Sequence, residues 1–202
     1  MGSTIRTQTD YSERVFKDVS QNHDELVSNE FIDCAFLRCS LVEFVFRKCR
    51  FVNCVFRECD LSLIQVPDSR FTSTRFENSK VVGVNWTEAD WPQPGLGNPI
   101  GFLKSAISHS TFMGLNLTDM EIRDCVATDV DFREANLSRV DFTGTDLSGS
   151  LFSSTDLSEA DLSRARNYQI DPGQNRLRRA RFSLPEAMSL LYSLDIVLVE
   201  ED

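Results

Sequence analysis

The spacing of the large apolar residues constrains the fold of this chain more than any other feature. Of its 15 phenylalanines, 14 lie on a grid with a period of five residues. Such a period matches neither an α-helix at about 3.6 residues per turn nor a strand at about 2, so the chain is expected to be built from repeats. The grid runs through Phe16, Leu26, Phe31, Phe36, Leu41, Phe46, Phe51, Phe56, Leu61, Val66, Phe71, Phe76, Val81, Trp86 and Trp91, and then, shifted by one residue, through Phe102, Ile107, Phe112, Leu117, Ile122, Ala127, Phe132, Leu137, Phe142, Leu147, Phe152, Leu157 and Leu162, with weaker repeats at Leu177 and Phe182.

Each five-residue unit has a large apolar residue at its centre, called position i, and a small residue at i−2, whereas i−1, i+1 and i+2 are polar. Two inward positions in five, one large and one small, predict a narrow tube in which each unit forms one side. Four sides close a coil of about 20 residues, and stacked coils share backbone hydrogen bonds at a spacing of about 4.8 Å. The predicted columns include Phe16, Phe36, Phe56 and Phe76, then Phe31, Phe51, Phe71 and Trp91, and further along Phe112, Phe132 and Phe152.

The stretch "ANLSRVDFTGTDLSGSLFSSTDLSEADLSRA" (135–165) resembles the A(D/N)LXX signature of pentapeptide-repeat proteins. That resemblance implies an all-β solenoid, a right-handed quadrilateral β-helix, with a short C-terminal helix and strand. It divides the chain into an N-terminal tail (1–12), a repeat region (13–182) interrupted near 92–101, and a C-terminal dimerisation element (183–202).

Two further stretches, "GVNWTEADWP" (83–92) and "NYQI…RARFSLPEAMSLLYSLDI" (167–196), resemble the topoisomerase-poison immunity group of Qnr, McbG and AlbG, and most of all its albicidin-immunity type. The resemblance implies a homodimer that binds DNA gyrase, with topoisomerase IV as a second candidate partner. Such a protein protects the enzyme from a poison such as albicidin or a fluoroquinolone, by DNA mimicry or by drug displacement. The alternative is a structural or interaction scaffold with an unrelated partner.

The grid slips between Trp91 and Phe102, which are eleven residues apart instead of ten. The intervening "PQPGLGNPIG" is rich in proline and glycine, which interrupt regular structure. Either it is a simple insertion, or it projects as a recognition loop, since loops on a rigid scaffold commonly carry binding residues. Under the second interpretation the partner-binding candidates are Pro92, Pro94 and Leu96. Trp86 and Trp91, which flank the slip, are interpreted as core residues.

The period changes again at the C-terminal end. Ser183 and Glu186 have the spacing of a capping box, and Ala187, Leu190, Leu191 and Leu194 follow at helical spacing, before the short predicted strand "DIVLV" (195–199). This helix either caps the open end of the solenoid or forms a two-fold interface. The resemblance favours a dimer. The predicted interface residues are Leu184, Met188, Leu191, Leu194 and Ile196.

All six cysteines occupy position i−2, where free cysteine serves as a small apolar residue. A five-residue spacing places their sulfurs on different sides of the tube, whereas zinc ligands must converge. Cys34 and Cys54, like Cys39 and Cys59, are expected on adjacent coils, but their side chains run parallel, a poor geometry for a disulfide. Reduced core thiols, no metal and no cofactor are therefore predicted.

The net charge is −10, and residues 101–202 contribute −7 of it. This balance disfavours direct nucleic-acid binding. Glu121, Asp141 and Asp161 are 20 residues apart at position i−1, so they are expected to form a carboxylate column. The column is interpreted either as a surface for a basic partner or as simple solvation. A basic stretch at 164–181 is interpreted as charge compensation.

No catalytic constellation emerges from the sequence. His23 and His109 have no evident paired nucleophile, and no phosphate-cradling glycine motif is present. The chain has no apolar run of 18 residues, and its first residues lack the apolar core of a signal peptide. A cytoplasmic, membrane-free interaction protein that is not an enzyme is predicted.

Overall fold

A computed structural model of the chain describes residues 5–6, 9–91, 100–194, 196 and 199. Short strands wind into a solenoid of about eight coils, followed by a short helix, which confirms the predicted fold class. The strands are β1 (Tyr11–Ser12), β2 (Val15–Lys17), β3 (Glu25–Val27), β4 (Glu30–Ile32), β5 (Ala35–Leu37), β6 (Val45–Arg47), β7 (Arg50–Val52), β8 (Val55–Arg57), β9 (Arg70–Thr72), β10 (Arg75–Glu77), β11 (Gly101–Leu103), β12 (Glu121–Arg123), β13 (Asp161–Leu162) and β14 (Arg181–Phe182).

Every strand pairs in parallel with the strand one coil away. The sheets have the orders β1-β4-β7-β9, β2-β5-β8-β10-β11-β12, β3-β6 and β13-β14. Phe36 is opposite Phe56, a register of 20 residues, whereas Phe76 is opposite Phe102, a register of 26. The slip after Trp91 is therefore a six-residue insertion into one coil, and the coils on either side remain in phase.

The aromatic columns fill the tube as predicted, with one exception. Phe36 stacks on Phe56 with ring centroids 4.3 Å apart, and the stack continues to Phe76 and Phe102 at 5.1 Å steps. The prediction that Trp91 extends the column of Phe71 is wrong. Its ring instead packs edge-on against the fully buried Trp86 at 6.4 Å, and its indole Nε1 donates to the Trp86 carbonyl at 2.8 Å. The backbone keeps its 20-residue register as far as Asp90, whose N–H donates to the Ser69 carbonyl at 2.9 Å, so it is the ring of Trp91 that departs from the column.

The small residues at i−2 form an internal hydrogen-bond ladder. Ser69 Oγ accepts from the Cys49 N–H and donates to the Phe46 carbonyl, both at 2.8 Å. Thiols do the same, since the Cys39 N–H donates to Cys59 Sγ at 3.3 Å. Because a buried N–H without a partner is costly, the i−2 side chain connects coils as well as fitting between them.

The six cysteines are buried and free. Burial raises the pKa of Cys54 and of Cys125 to about 12, so these two thiols stay protonated at neutral pH. A protonated thiol is a poor metal ligand and a poor nucleophile. The inward placement predicted from the grid is confirmed.

Position i+2 forms the corners of the tube. It adopts a left-handed backbone in residues as varied as Asp18, Arg38 and Glu58, with φ between 51° and 56°. This conformation disfavours most side chains other than glycine. At Gly144 a Cβ would also meet the carboxylate of Asp124 one coil earlier, so that side chain would have to shift.

The N-terminal end of the solenoid includes residues assigned to the tail. Tyr11 lies in β1, two residues before the predicted start of the repeats, and its ring stacks on Phe31 at 5.3 Å. Ile5 is buried, and its backbone exchanges two 3.0 Å hydrogen bonds with the Gln21 side chain. The core therefore extends N-terminal of the predicted boundary.

At the C-terminal end, a 3-10 turn (Glu186–Met188) leads into a four-residue helix, α1 (Ser189–Tyr192). The predicted capping box is wrong. Ser183 Oγ accepts from the Arg164 N–H, and Glu186 Oε1 accepts from the Asn167 N–H, so both side chains cap backbone donors of the last full coil. The predicted strand 195–199 lies largely outside the described residues.

Candidate functional site

The predicted carboxylate column is present on one side of the rod. Bridges connect Glu121 to Asp141 and Asp141 to Asp161, so the three residues occupy successive coils. Their side chains are 51%, 35% and 25% exposed in that order. Solvent access therefore falls steadily towards the C-terminal end, and Glu121 is the most accessible of the three.

The column is not a bare run of negative charge. Arg75 lies 3.7 Å from Glu121, Arg123 lies 3.3 Å from Asp141 and a third arginine, Arg181, lies 3.1 Å from Asp161. Exposed ion pairs of this kind contribute little to stability, about 0–1 kcal/mol each. Their main consequence here is electrostatic, because each arginine offsets the repulsion between stacked carboxylates that the sequence implied.

The aspartates of the column also have a structural role that sequence reasoning missed. Asp141 Oδ1 accepts from the Thr143 N–H, and Asp161 Oδ1 accepts from the Ser163 N–H, each at 2.9 Å. These are Asx turns, in which a short carboxylate or amide closes the turn two residues on. Partial burial acts to raise the pKa of Asp161, but the Ser163 hydrogen bonds and the nearby Arg181 and Arg164 charges outweigh it and lower that pKa.

A different set of carboxylates is less engaged in ion pairs than the predicted column. Asp124, Glu134 and Glu159 lie at i+2 corners, are exposed and form no ion pair with any described residue. We call them the corner acids. Sequence reasoning could have found them from their position in the repeat, because a side chain at i+2 takes part neither in the internal ladder nor in an Asx turn. Asp119, at another corner, differs because the Arg139 guanidinium binds it at 2.7 Å and lowers its pKa.

The predicted recognition loop cannot be placed. Pro92, Pro94 and Leu96 lie outside the described residues. On its C-terminal side, Ile100 is buried in the core and the Gly101 N–H donates to the Thr74 carbonyl at 3.0 Å, so the chain rejoins the solenoid there.

The predicted dimer residues expose apolar surface. Leu184 is 77% exposed, and Met188, Leu194 and Ile196 are also exposed, whereas Leu191 is half-buried. Leu190 packs against the hydrophobic core and attaches the short helix to the end of the tube. Several exposed apolar residues within one short segment mark a candidate interface.

The described residues were compared with two further requirements, those of a metal site and of a membrane-spanning helix. Among those residues, no three His, Cys, Asp or Glu side chains converge as metal ligands, and no helix there is long and apolar enough to cross a bilayer. His23 pairs with Glu43 at 2.9 Å, and His109 lies 3.6 Å from Asp129, both on the exposed surface.

Comparison with known proteins identifies the repeats. The pentapeptide repeat region model matches residues 29–99, and the pentapeptide repeats (8 copies) model matches residues 110–149 and 131–166, together more than half of the chain. No curated protein sequence matches the chain.

Solved structures share the fold at low sequence identity. Full-length QnrB1, a plasmid-mediated fluoroquinolone resistance protein, has a TM-score of 0.63 and 13% identity over 93% of this chain and 100% of its own. A trypsin-treated QnrB1 variant gives 0.66 and 15% over 92% and 100%. HetL, a pentapeptide repeat protein involved in heterocyst differentiation regulation in the cyanobacterium Nostoc, gives 0.54 and 14% over 84% and 85%.

Proposed function

The chain belongs to the pentapeptide-repeat family, and from this premise we propose that it is an immunity protein that binds DNA gyrase and protects it from a poison. Proteins built from these solenoids act as structural or interaction scaffolds, so the proposed action is binding and not catalysis. The fluoroquinolone and albicidin classes of poison are the candidates, and topoisomerase IV is a second candidate partner.

One observation carries this proposal, which is the likeness to QnrB1 over the whole of that protein. Identity near 15% supports the fold and not the residues of a site, so the function is inferred and not transferred. HetL has a similar solenoid and a different role. The second candidate function is therefore a scaffold with an unrelated partner.

Two mechanisms can produce protection, and each uses a different part of the rod. In DNA mimicry, the carboxylate column and the corner acids present negative charge to a basic surface of the enzyme. In drug displacement, residues 92–99 make the decisive contact and the acids only steer the encounter. The arginines beside the column favour the corner acids as the main mimicking charges, because those acids form no ion pair with any residue that the structure describes.

The decisive experiment is gyrase supercoiling in the presence of a fluoroquinolone or albicidin, with and without the purified protein. Protection is expected, and its absence with both drugs would favour the scaffold function. Under mimicry, Asp124→Asn with Glu134→Gln and Glu159→Gln should abolish protection, whereas the column triple Glu121→Gln, Asp141→Asn and Asp161→Asn should weaken it less. Deleting residues 94–98 should spare binding and lose protection under displacement.

We also propose that the active form is a dimer joined through the C-terminal element. Leu184→Asp with Met188→Asp should give a soluble monomer, because both side chains are exposed and their replacement leaves the core intact. Charged residues at Leu191 and Leu194 should act in the same direction. Light scattering measures the outcome, and a dimer that survives all four changes would show that the interface lies elsewhere.

A further inference from the structure

A groove of about 760 Å³ runs along the coils before the insertion, on a different side of the rod from the carboxylate column. One wall consists of four corners on successive coils, which are His23, Glu43, Leu63 and Gly83. Each of the first three donates its N–H to the carbonyl of the residue before the next corner. The facing wall follows the i−1 positions of Glu25 and Val45. We call this feature the Leu63 groove, and its three coil steps span about 14 Å.

Leu63 is an unusual residue for its corner. The structure describes 26 non-glycine residues with a left-handed backbone, and among them Leu63, with φ of 60°, is the only apolar one. A bulky apolar residue is rarely found in this conformation. Leu63 is 49% exposed, and its side chain leans over Gly83, where Cδ2 lies 2.6 Å from the position that a Cβ would occupy. Neither burial in the core nor turn geometry therefore accounts for a leucine here, whereas an apolar contact with another molecule accounts for it.

The groove also carries an excess of negative charge. Its carboxylates are those of Asp24, Glu25, Glu43 and Glu88, and they face a single arginine. Arg47 pairs with Glu25 at 2.8 Å. The other three carboxylates bond to side-chain amides or to the His23 ring, although arginine is the usual partner of an acid in these coils. Three carboxylates in the groove thus have no arginine or lysine partner among the described residues.

We infer that the Leu63 groove is a docking surface for a short extended segment of the partner that carries an apolar side chain between basic ones. The apolar Val45 and Leu63 occupy the middle of the groove, with Glu25 near one end and Glu88 near the other. An extended chain rises about 3.3 Å per residue, so four or five residues span this length. Burial of the apolar side chain supplies affinity, and the carboxylates select Lys or Arg on either side of it.

Two other occupants lack the required charge. A nucleic acid would place its phosphates against the carboxylates of the groove. A second copy of this chain has a net charge of −10, so the same repulsion opposes it. A basic and apolar segment of a different protein is complementary to the groove in both respects.

The inference rests on the proposed function, since it assigns the segment to gyrase. The Leu63 groove lies before the insertion, whereas the carboxylate column and the corner acids lie after it. Loss of this contact should therefore weaken binding while leaving the charges proposed for mimicry in place.

The test removes the apolar side chain without disturbing the corner. Asparagine occurs at the left-handed corners 53 and 78 of this chain, so Leu63→Asn should fold at least as stably as wild type. The matched control is Leu151→Asn, because Leu151 is 48% exposed and lies outside the groove. Calorimetry with intact gyrase should show about tenfold weaker binding for Leu63→Asn, as for the loss of one buried leucine. The control should stay within about twofold of wild type, and urea unfolding checks the fold of both.

A second pair of variants tests the charges. Glu43→Gln with Glu88→Gln should weaken binding about fivefold at low salt and less at moderate salt. The control, Glu13→Gln with Glu58→Gln, has the same net charge and neutralises exposed corner residues outside the groove. Equal losses from the two pairs would show that only the overall charge matters, which would overturn the basic character of the segment.

The outcomes separate the inference from the function. If wild type does not bind gyrase, the proposed function and the inference both fail. If wild type binds and Leu63→Asn binds equally well, the inference fails while the function stands. Light scattering on the same proteins detects self-association. A smaller assembly for Leu63→Asn than for wild type would show that a second copy occupies the groove, and the inference would be overturned.

Discussion

The coils before the insertion (11–91) and those after it (100–182) have the same register but are held together differently. The first set is built on three-residue strands and stacked phenylalanine rings. The second set consists mostly of single bridges between turns, with leucine in several columns. A solenoid coil therefore needs only its inward residues and its corners, and extended strands between the corners are optional.

The use of charge differs in the same way. In the first set, acids pair with arginines across coils, as Asp18 with Arg38 and Glu30 with Arg50. In the second set, many aspartates bind a backbone N–H two residues on, as Asp146 binds that of Ser148. Part of the acidity after residue 100 is thus structural. The charge available to a partner is better counted at the corners than over the whole sequence.

The largest expected effect concerns the columns. Phe56→Ala should destabilise the protein by about 4 kcal/mol and Leu137→Ala by about 3, because both residues are fully buried and the larger ring leaves the larger cavity. Urea unfolding midpoints measure the difference. A larger loss of stability from Leu137→Ala than from Phe56→Ala would show that aromatic stacking does not make the first set of coils more stable than the second.

The internal hydrogen-bond ladder should contribute equally to the stability of the coils before and after the insertion. Thr145→Val removes the hydroxyl that accepts from the Cys125 N–H, and Ser69→Ala removes the one that accepts from Cys49. Each change should cost about 1–3 kcal/mol, since a buried donor loses its partner. Thr145→Ser, which keeps the hydroxyl, is the control. A neutral Thr145→Val would indicate that water replaces the missing group.

Lowering the pH should reduce the stability of the coils after the insertion more than that of the coils before it. Hydrogen bonds and nearby positive charge lower the pKa of Asp119, Asp131, Asp146, Asp156 and Asp161 there, against only Asp18 and Asp24 before the insertion. For Asp146 the largest cause is the Asn167 amide, followed by Ser148. A pKa lowered on folding adds stability above the unfolded value of about 3.9, and that stability is lost as pH falls through the folded value.

Unfolding midpoints between pH 5 and pH 2 test this expectation. Asp146→Asn with Asp156→Asn and Asp161→Asn should flatten the pH dependence, because an amide cannot titrate. Asparagine should still close the turn, as Asn136 does with the Ser138 N–H at 3.0 Å. Parallel curves for variant and wild type would place the acid sensitivity elsewhere.

The smallest effect is expected at the cysteines. Cys59→Ser should change stability by about 1 kcal/mol or less, since Ser79 makes the same ladder bond to the Cys59 N–H one coil later. Protection of gyrase should be unchanged, with or without a chelator. A loss of protection on adding chelator would point to a metal that the cysteines hold.

The periodic part of the fold could be predicted from sequence because inward positions repeat. Phe36 and Phe56 show this directly. The packing of the Trp91 ring against Trp86 could not be predicted, because the grid gives the phase of a residue and not the contacts of its ring. The hydrogen bonds of Ser69 were not predicted. Position i−2 selects small side chains, and the sequence analysis considered only the size of serine there and not its hydroxyl group. The capping box at Ser183 and Glu186 was predicted wrongly. The three-residue spacing between them is the same whether their side chains bind N–H groups of the helix or, as here, those of the preceding coil.

The site was less predictable than the fold for a related reason. Periodicity identified the column of Glu121, but it could not show that arginines from three different coils would lie beside it. Pairing depends on side-chain reach across the stack and not on a repeat. The sequence contains the corner acids, but only the structure separates acids that pair with an arginine from those that form no ion pair with any described residue.

The fixed register has a consequence for how such a molecule can change over time. Because each coil is aligned by the one before it, gain or loss of 20 residues moves everything beyond it by one step of about 4.8 Å and leaves local chemistry intact. The separation between two charged residues at the same position of different coils is thus counted in whole coils. The length of the rod is therefore set by the number of coils, and a six-residue insertion into one coil, as between Phe76 and Phe102, leaves the pairing of the coils on either side in phase.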